Sequence, residues 1–212
     1  VPGPSRSQKP PSLPFASVDM KRFLLLFLAA CGMASAATNS CTFTAADGTT
    51  LEAYSVGSEL TWTENTGFAT GNIIISDANR GRTDTTNTSF YYVDNFTPAN
   101  YNYDVECTVR VVTLPTSNNT YLGVGGRAAS TSASGGYIAW LVKTASSWQI
   151  QLALYGSSSL ASVNITAPVA GTSYQLKLNM RDHILNCYWD GTKVISYNAG
   201  SGRITAVGNP TL

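Results

Sequence analysis

Apolar and polar residues alternate one by one along several stretches of this 212-residue chain, and that period of two restricts its fold more than any other feature. Within residues 104–112, Val105, Cys107, Val109 and Val111 share one face, while Glu106, Thr108 and Arg110 share the other. Residues 148–155 repeat the pattern. Trp148, Ile150, Leu152 and Leu154 face one way, and Gln149, Gln151 and Tyr155 the opposite way. Tyr174, Leu176, Leu178 and Met180 do so again, backed by Gln175, Lys177 and Asn179. A helix would put these apolar positions all round its axis; a strand gathers them on one side.

Composition agrees. Past residue 36 there are three lysines and four glutamates, so strong helix formers are scarce while Thr, Val, Ile and Tyr are plentiful. Asp190-Gly191, between strand patterns at residues 184–189 and 192–197, is a two-residue hairpin signal, because both turn positions need positive φ. No linker or internal repeat is visible. The expectation is one all-β domain over residues 37–212, a two-sheet antiparallel β-sandwich joined by Gly/Ser/Asn-rich turns.

The beginning of the chain reads differently. Met20, Lys21-Arg22 and the apolar run 23–30 have the pattern of a secretion signal over residues 20–36, ending in the small-x-small site Ala34-Ser35-Ala36. Leu28-Ala29-Ala30-Cys31 offers a second reading, a lipobox whose Cys31 would carry a lipid anchor. Residues 1–19, with five prolines, fit no targeting class and are read as upstream sequence. Both readings place the product outside the cytosol, secreted or periplasmic, and no second apolar run is long enough to span a bilayer. The net charge of +1 belongs to this leader: residues 1–36 hold Arg6, Lys9, Lys21 and Arg22 against Asp19 alone, which leaves −2 for the rest. No basic field remains to attract nucleic acid.

Three cysteines follow the leader, Cys41, Cys107 and Cys187, none in a CxxC spacing. Cys107 shares the inward parity of Val105 and Val109, and Cys187 lies on a late strand beside the hairpin. If one disulfide forms, these two are the expected pair, with Cys41 left for a partner outside the chain. The final Asn209-Pro210-Thr211-Leu212 follows directly on a structured-looking stretch, so the domain is expected to be cut short at its C-terminus.

The succession Tyr103-Asp-Val-Glu106, Leu122-Gly-Val-Gly-Gly-Arg127, Gly136-Tyr137, Tyr174-x-Leu176-x-Leu178, Trp189-Asp-Gly191 and Arg203-Ile-Thr-Ala206 resembles the concanavalin A-like lectin/glucanase superfamily. More narrowly it is similar to the laminin-G-like jelly rolls of secreted bacterial proteins, over about residues 41–212. The resemblance implies a jelly roll whose last strand returns beside its first. It also implies glycan binding in many members, calcium in some, and glycoside hydrolysis in others.

The residues weigh these activities unequally. Retaining glucanases need two carboxyls about 5 Å apart. Here Asp104 and Glu106 are the sole acidic pair at strand spacing, and no third acid follows, so no catalytic residue is assigned. His183 is the only histidine, in an expected turn at Arg181-Asp182-His183, and no GxSxG motif exists. Gly123-Val-Gly-Gly-Arg-Ala128 has the loose GxGxxA form of a dinucleotide fingerprint, but neither a helix pattern nor an acid follows it. Asp77, Asn79 and Asp84 set oxygen ligands at calcium-like intervals in a loop, a candidate calcium site that is equally an ordinary Asn/Asp-rich turn. Asn87, Asn95, Asn118 and Asn164 each open an N-x-Ser/Thr sequon.

Alternation also suggests a ligand face. With Val105, Val109, Leu122, Val124, Trp148, Ile150, Leu152, Leu176 and Leu178 packed inside, the opposite faces collect Glu106, Arg110, Tyr121, Arg127, Tyr137, Gln149, Gln151 and Tyr155. Flat apolar surface for sugar rings and fixed polar groups for hydroxyls are what a glycan requires. The first reading is therefore a secreted, lectin-like module whose partner is a glycan or polysaccharide. A structural or adhesive domain without catalytic activity is the second, and a glucanase-type hydrolase the third.

Overall fold

The computed structural model describes residues 45–46, 48–54, 60–64, 73–76, 80–83, 91–93, 98–116, 118, 120–128, 135–157 and 159–211. All of them fall within the unit Asn39–Leu212. The leader, Cys31, Cys41, Asn87, Asn95 and the calcium candidates Asp77, Asn79 and Asp84 lie outside the described residues. Among the described residues no helix is long and apolar enough to cross a membrane.

The fold is all-β, with two antiparallel sheets facing each other across one core. In chain order the strands are β1 (Trp62–Glu64), β2 (Ile73–Ser76), β3 (Arg80–Thr83), β4 (Tyr91–Val93), β5 (Asp104–Arg110), β6 (Thr120–Ala128) and β7 (Tyr137–Lys143). They continue with β8 (Trp148–Leu154), β9 (Ser159–Ile165), β10 (Ser173–Arg181), β11 (Ile184–Trp189), β12 (Thr192–Asn198) and β13 (Asn209–Thr211). The larger sheet has the order β1-β4-β13-β6-β7-β8-β9, the smaller one β12-β11-β10-β5, and β2 pairs with β3, its Ile75 also bonding through the backbone to Gly48 and Thr49. A single helical turn, α1 (Leu51–Tyr54), packs with Leu60, Trp62, Ile73 and Ile75 in a satellite cluster.

The alternating stretches become the inner faces. Val109, Leu176, Leu178, Met180, Leu185, Cys187 and Ile195 of the small sheet meet Val124, Ala139, Leu141, Trp148, Ile150 and Leu152 of the large one. The Asp190-Gly191 turn forms as its residues demand, at φ 48° and 78°, and Asp182 starts the expected 182–183 turn at φ 49°. The Gly123–Ala128 segment continues as strand β6 against β7, so it is no dinucleotide loop. Leu122 departs from expectation: it has the inward parity but lies near the start of β6 and is 41% exposed. The last described strand, Asn209–Thr211, is threaded between β4 and β6 and does not pair with β1. Gly208 admits that approach. At φ 56° a Cβ there would come within 2.2 Å of the Arg127 carbonyl carbon.

The expected Cys107–Cys187 bridge does not form; both are free thiols. Cys107 is opposite Leu176 and Cys187 opposite Leu178, on the two sides of β10. Two inter-strand spacings, about 9.5 Å, exceed the roughly 7 Å that a disulfide tolerates. Burial pushes both thiols up to about 12, with Glu106 adding to the effect on Cys107.

Candidate functional site

The eight residues expected on one ligand face are distributed over three environments. Glu106 and Arg110 point outward from the small sheet, across β10 from the inward Leu176 and Leu178. Tyr121, Gln149, Gln151 and Tyr155 belong to the outer side of the large sheet, although Tyr155 is buried there with Ile138. Arg127 and Tyr137 are 1% and 2% exposed and face no solvent. Alternation assigns two faces to each strand but does not say which sheet a strand joins, and that is where the single-face expectation fails.

Arg127 ties the loops together. It takes φ 55° near the end of β6, which turns its guanidinium among backbone carbonyls. Nε donates to Tyr101 O at 2.8 Å; Nη1 donates to Ile204 O at 2.8 Å and Asp182 O at 3.1 Å. The Tyr101 ring lies 5.0 Å and the Tyr137 ring 5.8 Å from its Cζ. Its amide donates to the Tyr103 hydroxyl, which in turn donates to Val207 O at 3.2 Å. Ile204 N donates to Tyr137 Oη at 2.9 Å. Burial pushes the Tyr103 phenol up to about 12, against the Arg127 amide and charge. Arg127 and Tyr137 thus join the segments at 101–103, 182 and 204–207, while the buried Arg127 Nη2 has no hydrogen-bond partner among the described residues.

The outer side of the large sheet has the chemistry expected of a binding face, with a different membership. Register carries Gly123, Trp140, Gln151 and Ser162 into one cross-strand row, and Tyr121, Val142, Gln149 and Asn164 into the next. None of the eight is charged. Tyr121 is 51% exposed and meets Trp140 edge to face at 5.7 Å. Gly123 makes room for the indole: a Cβ there would sit 2.8 Å from Trp140 Cε3 and 2.3 Å from Ala139 O. Beside the rings runs a chain of amides. Gln151 Nε2 donates to Gln149 Oε1 at 2.8 Å, and Gln149 Nε2 donates to Asn164 Oδ1 at 2.9 Å. Ser147 Oγ also donates to Asn164 Oδ1, at 3.3 Å. Each amide is oriented by its neighbour, and Gln151 Oε1 and Asn164 Nδ2 remain without a partner among the described residues. Sequence reasoning missed Trp140 and Asn164. Trp140 was legible from the continued alternation Ile138, Trp140, Val142, whereas Asn164 needed the β8–β9 register.

The small sheet's outer face is the opposite in character. Lys177 Nζ reaches Asp104 Oδ2 at 2.7 Å and Glu106 Oε2 at 4.0 Å, and Arg181 reaches Asp104 Oδ1 at 2.8 Å. Asn179 Nδ2 donates to Asp104 Oδ1 at 2.7 Å, and Asn179 Oδ1 accepts from Asn186 Nδ2 at 3.1 Å. Burial would raise the Asp104 carboxyl, but hydrogen bonds from Lys177 and Asn179 and the Arg181 and Lys177 charges outweigh it and hold it low. The sole acidic pair is therefore engaged by cations on its own sheet. His183 Nδ1 pairs with Asp182 Oδ2 at 2.8 Å, and Asp182 also meets Arg203 Nε at 3.0 Å. That hydrogen bond with His183 holds the Asp182 carboxyl below the ordinary range, helped by the Arg203 charge. Among the described residues no cluster of three His, Cys, Asp or Glu could hold a metal ion.

No protein-family model matches this chain, and no curated protein matches it in sequence. Solved structures similar to it include a carbohydrate binding module, CBM66, from Bacillus subtilis (15% identity, TM-score 0.49, covering 71% of this chain and 86% of that one). A β-glucanase from Bacillus licheniformis is similar at 12% identity and TM-score 0.46, covering 79% and 84%. A native glycosidic hydrolase is similar at 12% identity and TM-score 0.42, covering 71% and 74%. Identities this low say nothing of activity, and the sandwich is established by this chain's own strand pairing.

Proposed function

We propose that this chain is a secreted or periplasmic carbohydrate-binding module of the laminin-G-like kind, holding a glycan on the outer face of its large sheet. Trp140 and Tyr121 supply apolar surface for the C–H face of a sugar ring, and Gln149, Gln151 and Asn164 supply oriented amides for its hydroxyls. The observation that carries the reading is the ordered, uncharged amide chain beside those rings, with Gln151 Oε1 and Asn164 Nδ2 without a partner among the described residues. A pre-oriented polar row loses little side-chain freedom on binding. Glu106 and Arg110 take no part, and Arg127, Tyr137 and Tyr155 act as supports beneath the surface.

A glycan array probed with the purified chain tests this, followed by calorimetry on any polysaccharide found. Trp140→Ala is expected to weaken binding at least about tenfold, near 1.4 kcal/mol, with the thermal transition retained. An array with no binder would leave the structural or adhesive reading in its place. Reducing-sugar release from β-glucans would favour the hydrolase reading, which Asp104 and Glu106 support poorly because Lys177 engages both.

A further inference from the structure

Among the described residues the two sheets of the sandwich end in four strand edges, and three of them are protected. β5 carries Asp104, Glu106 and Arg110; β12 carries Lys193 and a register shift opposite Cys187 and Tyr188; β1 is three residues long and ends in Glu64. Charges, irregularities and shortness are the devices that keep an open edge from pairing. β9, the far edge of the large sheet, is neither charged nor short: Ser159-Leu-Ala-Ser-Val-Asn-Ile165 is seven residues long, without charge or proline. Its one irregularity faces β8, between Leu152 and Ala153. Ser159, Ser162 and Asn164 are exposed, and no described residue bonds to the outer backbone groups of the strand.

We infer that β9 is a homodimer interface, pairing antiparallel with β9 of a second copy to make one continuous sheet. The occupant is argued from self-complementarity. A strand meeting itself about a two-fold axis at Ser162 sets Ala161 opposite Val163 and Leu160 opposite Asn164, all uncharged, so no like charges face each other. The same operation applied to β5 or β12 sets ionised side chains along the seam. Ala161, Val163 and Ile165 already lean on the core, so the partner strand extends an existing apolar layer. On the outer side, Ser162 and Asn164 bring the amide rows of both copies to the seam, and the two faces become one surface.

Light scattering of the full chain on a sizing column reads the interface directly and does not depend on any glycan. The expected mass is twice that of the chain. Ser162→Lys puts two ammonium groups on the axis and is expected to reduce the mass to one chain, as Ser162→Glu does alone. An equimolar mixture of the two variants is expected to restore the doubled mass, which a misfolded variant would not do. Glu106→Lys, on the β5 edge, is expected to leave the dimer intact. A wild-type chain of single mass, or a dimer that persists in Ser162→Lys, overturns the inference.

Discussion

The outer faces of the two sheets differ more than their inner faces do. The inner faces are alike, apolar and closed on each other, while the outer face of the small sheet is charged and the two cross-strand rows of β6–β9 on the other are not. On the small sheet Asp104, Lys177, Arg181, Asn179 and Asn186 bond to one another, so the surface is polar but already occupied. On the large sheet the amides are oriented in series, and the outermost groups have no partner among the described residues, beside an aromatic pair. A surface is suited to a ligand by what its polar groups have left to offer, and here the uncharged face offers more.

The largest effects are expected where the faces do not differ. Leu178→Ala and Ile150→Ala each remove a fully buried side chain, one from each sheet. Each is expected to cost about 2–5 kcal/mol in denaturant unfolding; a cost confined to one sheet would show that the inner faces are not equivalent. Arg127→Met leaves three carbonyl oxygens without their shared donor and is expected to lower stability by about 1–3 kcal/mol.

Next comes the contrast itself. Trp140→Ala is expected to weaken glycan binding at least about tenfold, and Lys177→Ala to leave it unchanged. Equal losses from the two variants in calorimetry would erase the distinction between the faces. Lys177→Met is expected to cost at most about 1 kcal/mol, because the pairs it breaks are partly solvated.

The smallest effect is a dependence on pH. Asp104 is held below its ordinary range when folded, so its contribution is fully present above about pH 4 and fades as pH falls through the lower folded value. Asp104→Asn is expected to flatten that part of the acid-unfolding curve without moving glycan binding. An unchanged acid limb would mean that the ladder contributes nothing to stability.

Much of this architecture was legible because it is local. Strand period, the parity of Val109, Ile150, Leu176 and Leu178, and the Asp190-Gly191 turn depend on residues within a few positions of each other, where sterics and alternation act directly. Gln149 and Gln151 were found by the same parity. Arg127 and Tyr137 were misplaced because a large polar side chain at a strand end can turn toward solvent or inward, and the partners that turn Arg127 inward lie at 101, 182 and 204.

By itself, then, the sequence determined that this chain makes strands, and which side of each strand is apolar, since both follow from a two-residue repeat. Only the tertiary structure decided which strands share a sheet. That choice set β10 between Cys107 and Cys187, sent Glu106 and Gln151 to opposite surfaces, and brought Trp140 beside Gln151. The physical reason is range. Side-chain direction is fixed by the backbone within a residue or two, whereas sheet membership depends on long-range pairing that leaves no local mark.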